Sequence, residues 1–134
     1  MNLGAFLDRM RREGWDWGDR DCLLWLGLWS LENTGIDGGE PWRGRYRTAL
    51  GCARALNASG GMEACIERGA ALAGMKGIAT DDTLCPGAIG LVMADTAKGP
   101  RPVGGICTGP RWALLTASGI VTIKADPLRA WRFP

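Results

Sequence analysis

The sequence predicts one α+β domain, with N-terminal helices followed by a small antiparallel sheet or half-barrel. Three observations point to the α+β class. Apolar residues recur at helical spacing through residues 1–74, whereas from Met75 onward glycine and proline become frequent and the apolar runs shorten. Strands that follow helices, rather than alternating with them, mark the α+β class. The chain has 134 residues, 46% of them hydrophobic, which fits one domain with a packed core rather than a disordered chain. The division is 1–74 mainly helical and 75–134 mainly strands.

The elements follow in order. Leu3, Phe6, Leu7 and Met10 form one helical face opposite Asp8, Arg9, Arg11 and Arg12, and Gly14 is the stop. A second helix runs from about Asp21 to Glu32, capped by Asp19 or Asp21 and ended by Asn33-Thr34-Gly35. The stretch Ile36 to Arg45 is loop. A third helix covers Tyr46 to Leu56, and a turn at Asn57 to Gly61 leads to a fourth over Met62 to Ala73. Strands are expected at 88–94, 103–108, 111–116, 119–123 and 129–133. Turn signals at Lys98-Gly99-Pro100, Gly109-Pro110, Ser118-Gly119 and Asp126-Pro127 separate them. Gly104-Gly105 inside a strand implies a bulge or tight corner, with close approach of a substrate or backbone as the alternative. The last strand closes the sheet with Trp131 in the core, the alternative being an edge that joins a partner's sheet.

Composition excludes several function classes. A net charge of +2 is too near neutral for a nucleic-acid binder. The basic clusters at Arg9 to Arg12 and at Arg43, Arg45 and Arg47 read as a solvated helix face and a polar loop. Five cysteines without a C-x-x-C pair, in a chain with no histidine, make a zinc site improbable. They read as free thiols in a reducing compartment, mostly small buried hydrophobes. No phosphate loop, dinucleotide fingerprint or EF-hand is present, so no cofactor or metal is expected. The charged, amphipathic N-terminal segment is not a secretory signal, and no apolar run reaches membrane-span length.

Seven tryptophans stand against one tyrosine and two phenylalanines. Trp25 and Trp29, four residues apart, are expected in the core. Trp15, Trp17 and Trp42 lie in loop-like segments and, with Arg43, Arg45 and Tyr46, are the interface candidates.

Cys22 is the candidate for chemistry. It is placed in the first turn of a buried helix, where the helix dipole favours a thiolate. Asp19 and Asp21 oppose that charge, and a cysteine nucleophile ordinarily needs a histidine base, of which the chain has none. The structural alternative is a thiol kept because it packs.

Asp21-Cys22, then Pro86-Gly87-Ala88-Ile89-Gly90-Leu91-Val92, then Val103-Gly104-Gly105-Ile106 resemble in order the motifs of NlpC-type, papain-like cell-wall peptidases. Those peptidases carry an Asp-Cys at a helix start, a Pro-Gly-Asp before a strand and a His-Val-Gly-Ile strand supplying the base. Ala88 stands where the family has aspartate and Val103 where it has histidine. A closer likeness, to small tail-associated proteins of bacteriophages that look like degenerate relatives of those peptidases, rests on six stretches. These are Trp17-Gly18, Asp21-Cys22, Thr34-Gly35-Ile36-Asp37, Arg43-Gly44-Arg45-Tyr46, Gly60-Gly61 and Leu128-Arg129-Ala130-Trp131-Arg132. The resemblance implies a papain-like, NlpC-type fold and a structural or assembly component of a tail tip or baseplate. Such a component is made in the host cytoplasm, is carried in the virion, and has other tail-tip or hub proteins as partners. Cys22 is then a vestigial catalytic residue. The alternatives are a peptidoglycan hydrolase using Cys22 with an unconventional base, and a host-directed modulator made early in infection.

Overall fold

A computed structural model describes residues 2–79 and 84–134. Four helices precede a six-stranded antiparallel sheet, so the chain is α+β. The helices are α1 (Leu3–Glu13), α2 (Leu24–Thr34), α3 (Ala49–Ala58) and α4 (Met62–Leu72). The strands are β1 (Lys76–Ile78), β2 (Ile89–Thr96), β3 (Gly99–Cys107), β4 (Trp112–Thr116), β5 (Gly119–Ile123) and β6 (Arg129–Arg132).

Local chemistry sets the helix ends. The Asn2 side chain accepts from the Ala5 amide at 3.0 Å and caps α1, and Gly14, at φ 75°, ends it. Phe6, Leu7 and Met10 turn inward as their spacing requires. Helix α2 is apolar on nearly every side because it is the central helix, burying Leu24, Trp25, Leu26 and Trp29. Gly35 closes it in the left-handed conformation at φ 79°. Helix α3 starts at Ala49, three residues later than its apolar pattern suggests, because the Thr48 hydroxyl caps it and Tyr46 is drawn inward. No helix of the described residues is long and apolar enough to cross a membrane.

The strand order is β1-β6-β2-β3-β4-β5. Strand β6 lies between β1 and β2, and Trp131 is 3% exposed. The C-terminal strand therefore closes the sheet rather than offering an edge. Strand β1 has no alternating pattern in the sequence and was not expected there; its three residues are strand through pairing with β6. Gly99 and Pro100, expected in a turn, already pair with Thr96 and Asp95.

One face of the sheet, with Ile89, Leu91, Ile106 and Leu115, packs on the helices. The opposite face carries a smaller cluster around Val92, Cys107, Trp112 and Leu114. The sheet forks. β3 and β4 pair at Ile106↔Ala113 and Cys107↔Trp112, and beyond those residues the β2–β3 and β4–β5 hairpins part. Proline explains the parting. The Cys107 amide donates to Ala88 on the β2 side, so by ladder alternation residues 100 and 102 address β4. Both are proline, with no N–H to give. The two hairpin tips share one design: Thr96 and Thr116 hydroxyls bond the carbonyls of Gly99 (2.6 Å) and Gly119 (2.8 Å) across their turns.

Candidate functional site

The site is built around Asp21. This side chain is fully buried, and its burial is offset by four donors. Oδ1 accepts from the amides of Leu23 (3.1 Å) and Leu24 (3.0 Å), and Oδ2 accepts from the Gly18 amide (3.0 Å) and the Tyr46 hydroxyl (2.7 Å). Asp21, not Asp19, thus takes up the amides at the front of α2, two residues ahead of the N-cap position Leu23. The helix begins at Leu24, which leaves Cys22 in the capping turn just ahead of it rather than in its first turn. The free amides that would favour a thiolate there are already given to the Asp21 carboxylate.

Gly18 makes the knot possible. Its φ is +85°, and a Cβ there would lie 2.0 Å from the Tyr46 carbonyl oxygen. The Gly44 amide donates to the Gly18 carbonyl at 2.9 Å. Arg43 locks the same region. Its guanidinium bonds both carboxylate oxygens of Asp37, Asp19 Oδ1 at 3.0 Å, and the Leu24 carbonyl at 3.0 Å. Burial works to lower the Arg43 pKa, but the bonds to Asp37 and Asp19 outweigh it and raise it further. Asp37 in turn accepts from the Gly39 amide at 2.8 Å. Four stretches singled out in the sequence (Trp17-Gly18, Asp21-Cys22, Thr34 to Asp37, and Arg43 to Tyr46) therefore meet at one place.

This geometry corrects part of the expected interface. Trp42 is 4% exposed, donates from Nε1 to the Ser59 hydroxyl at 3.1 Å, and has the Arg68 guanidinium over its ring. Tyr46 is 6% exposed and committed to Asp21. Arg43 is spent on internal partners. Both aromatic residues leave the surface because their polar atoms find partners inside. Arg45 is exposed, and Trp15 and Trp17 are half-buried, packed edge to face with ring centroids 4.9 Å apart.

Cys22 is partly exposed. The neighbouring Cys52 thiol, then burial, then the adjacent Asp21 carboxylate hold the Cys22 thiol well above the ordinary range. Cys52 moves the other way: the neighbouring Cys22 thiol lowers it, against burial. The position aligned with the family's histidine, Val103, belongs to the cluster on the far face of the sheet. The β3 residue that meets Cys22 is Gly104, and a Cβ there would lie 3.2 Å from the Cys22 carbonyl oxygen and 2.5 Å from Leu26 Cδ1. The paired glycines thus admit close backbone approach rather than a bulge, and a side chain at Gly104 would not fit.

A groove of about 1050 Å³ opens beside this cluster. Trp15, Trp17 and Cys22 line one side, and the forked hairpins, with Met93, Gly104, Leu115 and Ser118 among their lining residues, form the other. Among the described residues no three His, Cys, Asp or Glu side chains are grouped to hold a metal ion. Sequence reading missed Cys52 and the hairpin tips. The repeated Thr-Ala-Lys-Gly and Thr-Ala-Ser-Gly turns were a signal for the tips; nothing in the sequence pairs Cys52 with Cys22.

The family model described as "Domain of unknown function (DUF6950)" matches residues 1–133, and the chain belongs to that family. No curated protein and no solved structure matches it significantly.

Proposed function

We propose that this member of the DUF6950 family is a structural or assembly component of a bacteriophage tail tip or baseplate. In this reading it is made in the host cytoplasm, carried in the virion, and built on an NlpC-like scaffold whose cysteine has lost its catalytic role. The observation that carries the non-catalytic reading is the state of Cys22. Its thiol is held protonated, the nearby amides serve Asp21, and the facing strand position is glycine. General-base catalysis is typically worth ~10²–10⁴-fold, and the β3 position that meets Cys22, Gly104, has no side chain to supply it. The scaffold reading is supported by an Asp-Cys pair before a central helix packed on an antiparallel sheet. The tail-tip assignment is supported by the phage-like stretches, four of which interlock as structural elements. Neighbouring tail proteins would use the groove, with Trp15, Trp17 and Arg45 at its surroundings.

Quantitative mass spectrometry of purified phage particles, with lysine crosslinking, tests this. A fixed low copy number with crosslinks from Lys98 or Lys124 to tail-tip proteins is expected. Absence from particles overturns the virion assignment and favours a protein acting within the infected host.

A further inference from the structure

We propose that the fork between the β2–β3 and β4–β5 hairpins is a slot for an inserted β-strand, an extended segment of a partner protein that gives its main-chain amides to β3. The Thr108 amide donates to the Arg111 carbonyl at 2.9 Å, so Ile106↔Ala113 is a hydrogen-bonded pair. Two residues further on, Gly104 and Leu115 turn their main-chain groups toward each other. The register between the strands has already ended at Ile106↔Ala113, so these two residues are not paired. Both are buried and both line the groove. Buried main-chain groups call for a partner, and a strand lying between the walls supplies one to each.

The walls describe the occupant. The groove is lined from both faces of the sheet: Trp15, Trp17 and Leu115 pack with the helix-side core, whereas Val103, Leu114 and Ile123 pack with the cluster on the far face. A space open to both faces suits a strand, whose main chain lies in the sheet and whose side chains alternate between its faces. Both faces are apolar here, so the inserted side chains are apolar on both sides, as in a central strand. Strand β3 sets the hydrogen-bond polarity. Pro100, Pro102 and Gly104 turn three carbonyls to the fork but one amide, since proline has none. This wall accepts more than it donates, and it selects a segment with free amides, not proline, at alternate positions. From Pro100 to Gly104 the segment needs about five residues, or roughly 16 Å of strand. The inference deepens the proposed function and rests on its reading of the groove as an interface, since it names what a neighbour places there.

The test selects a yeast-displayed library of random linear heptapeptides against the purified full chain and remakes the enriched sequences as fluorescent peptides. The expected result is apolar, extended peptides that bind by anisotropy and slow the hydrogen exchange of the Gly104 and Leu115 amides. N-methylating alternate peptide amides in the register that faces β3 removes bonds to as many as three carbonyls and should weaken binding about tenfold or more. The other register meets the Leu115 carbonyl and should lose less. Met93 and Val121 are exposed groove residues, Met93 two positions beyond Leu91 on the helix side and Val121 opposite Leu114 on the far side. Met93→Glu and Val121→Glu should therefore fold and should each weaken binding. Failure to enrich any peptide that binds, binding indifferent to N-methylation, or unchanged exchange at Gly104 and Leu115 overturns the proposal. A dimer that protects the same amides without peptide also overturns it, because the occupant is then a second copy. The two readings fail separately: absence from virions leaves a peptide slot standing, and failure here leaves the virion assignment to the particle measurement.

Discussion

The Asp21 carboxylate is held by three amides and one hydroxyl rather than by a cation, and the effects of single substitutions near Cys22 follow from that. Tyr46→Phe removes the only side-chain donor of the four and leaves the others in place. Hydrogen bonds to charged groups are worth about 1.5–3 kcal/mol, and a loss of that size is expected as a lower midpoint in urea unfolding. Gly18→Ala is expected to cost more, about 3 kcal/mol or above, since it adds left-handed strain to a backbone clash. Titration gives a further expectation. Cys22 and Tyr46 are both raised in the folded state, so the folded chain keeps protons that the unfolded chain gives up. Their stabilising contribution is complete below the ordinary thiol and phenol values, about 8.5 and 10, and is lost as pH rises above them. Melting temperatures measured from pH 7 to pH 10.5 should fall, and the fall should be smaller in Tyr46→Phe. Asp21 was legible in the sequence as one of two caps for the second helix. Its partner Tyr46 was not, because no local pattern links residues 25 apart in sequence.

At the scale of elements, periodicity and turn residues located most of the structure. Gly14 and Gly35 end α1 and α2 as left-handed or extended-positive glycines should, and four of the five expected strands fall within two residues of their observed ends. The exceptions have physical causes. The third strand begins early because Pro100 still pairs with Asp95 while pointing its nitrogen to the open side of the fork. β1 depends on tertiary pairing and leaves no local trace. Arg129 bridges Glu63 and Glu67 of α4 at 3.1 and 3.4 Å, but these groups are exposed and the pairs contribute little. Gly104 matters more, because it is where β3 and the start of α2 approach closely. Gly104→Ala forces Leu26 to move and crowds the Cys22 carbonyl, and overpacking of this kind costs about 1–3 kcal/mol. Chemical denaturation of that variant beside Gly99→Ala, which meets no neighbour but keeps a φ of +93°, separates the packing cost from the conformational one.

Across the whole molecule, segments far apart in sequence converge on the front of α2, and the fork in the sheet leaves a groove beside them. The sequence indicated that Cys22 lacked a histidine partner. It could not indicate that Asp21 occupies the helix amides, or that a β3 glycine meets the Cys22 carbonyl, because both depend on how strand and helix meet. The same convergence buries Trp42 and Tyr46, ties Arg43 to internal partners, and leaves Trp15 and Trp17 half-buried and Arg45 exposed. On the proposed function, this site holds the fold and binds neighbours rather than cleaving bonds. Incubating the purified chain with peptidoglycan fragments, beside Cys22→Ala, tests it most directly. No cleavage above the variant's background is the predicted result, and cleavage that disappears in Cys22→Ala would contradict the account.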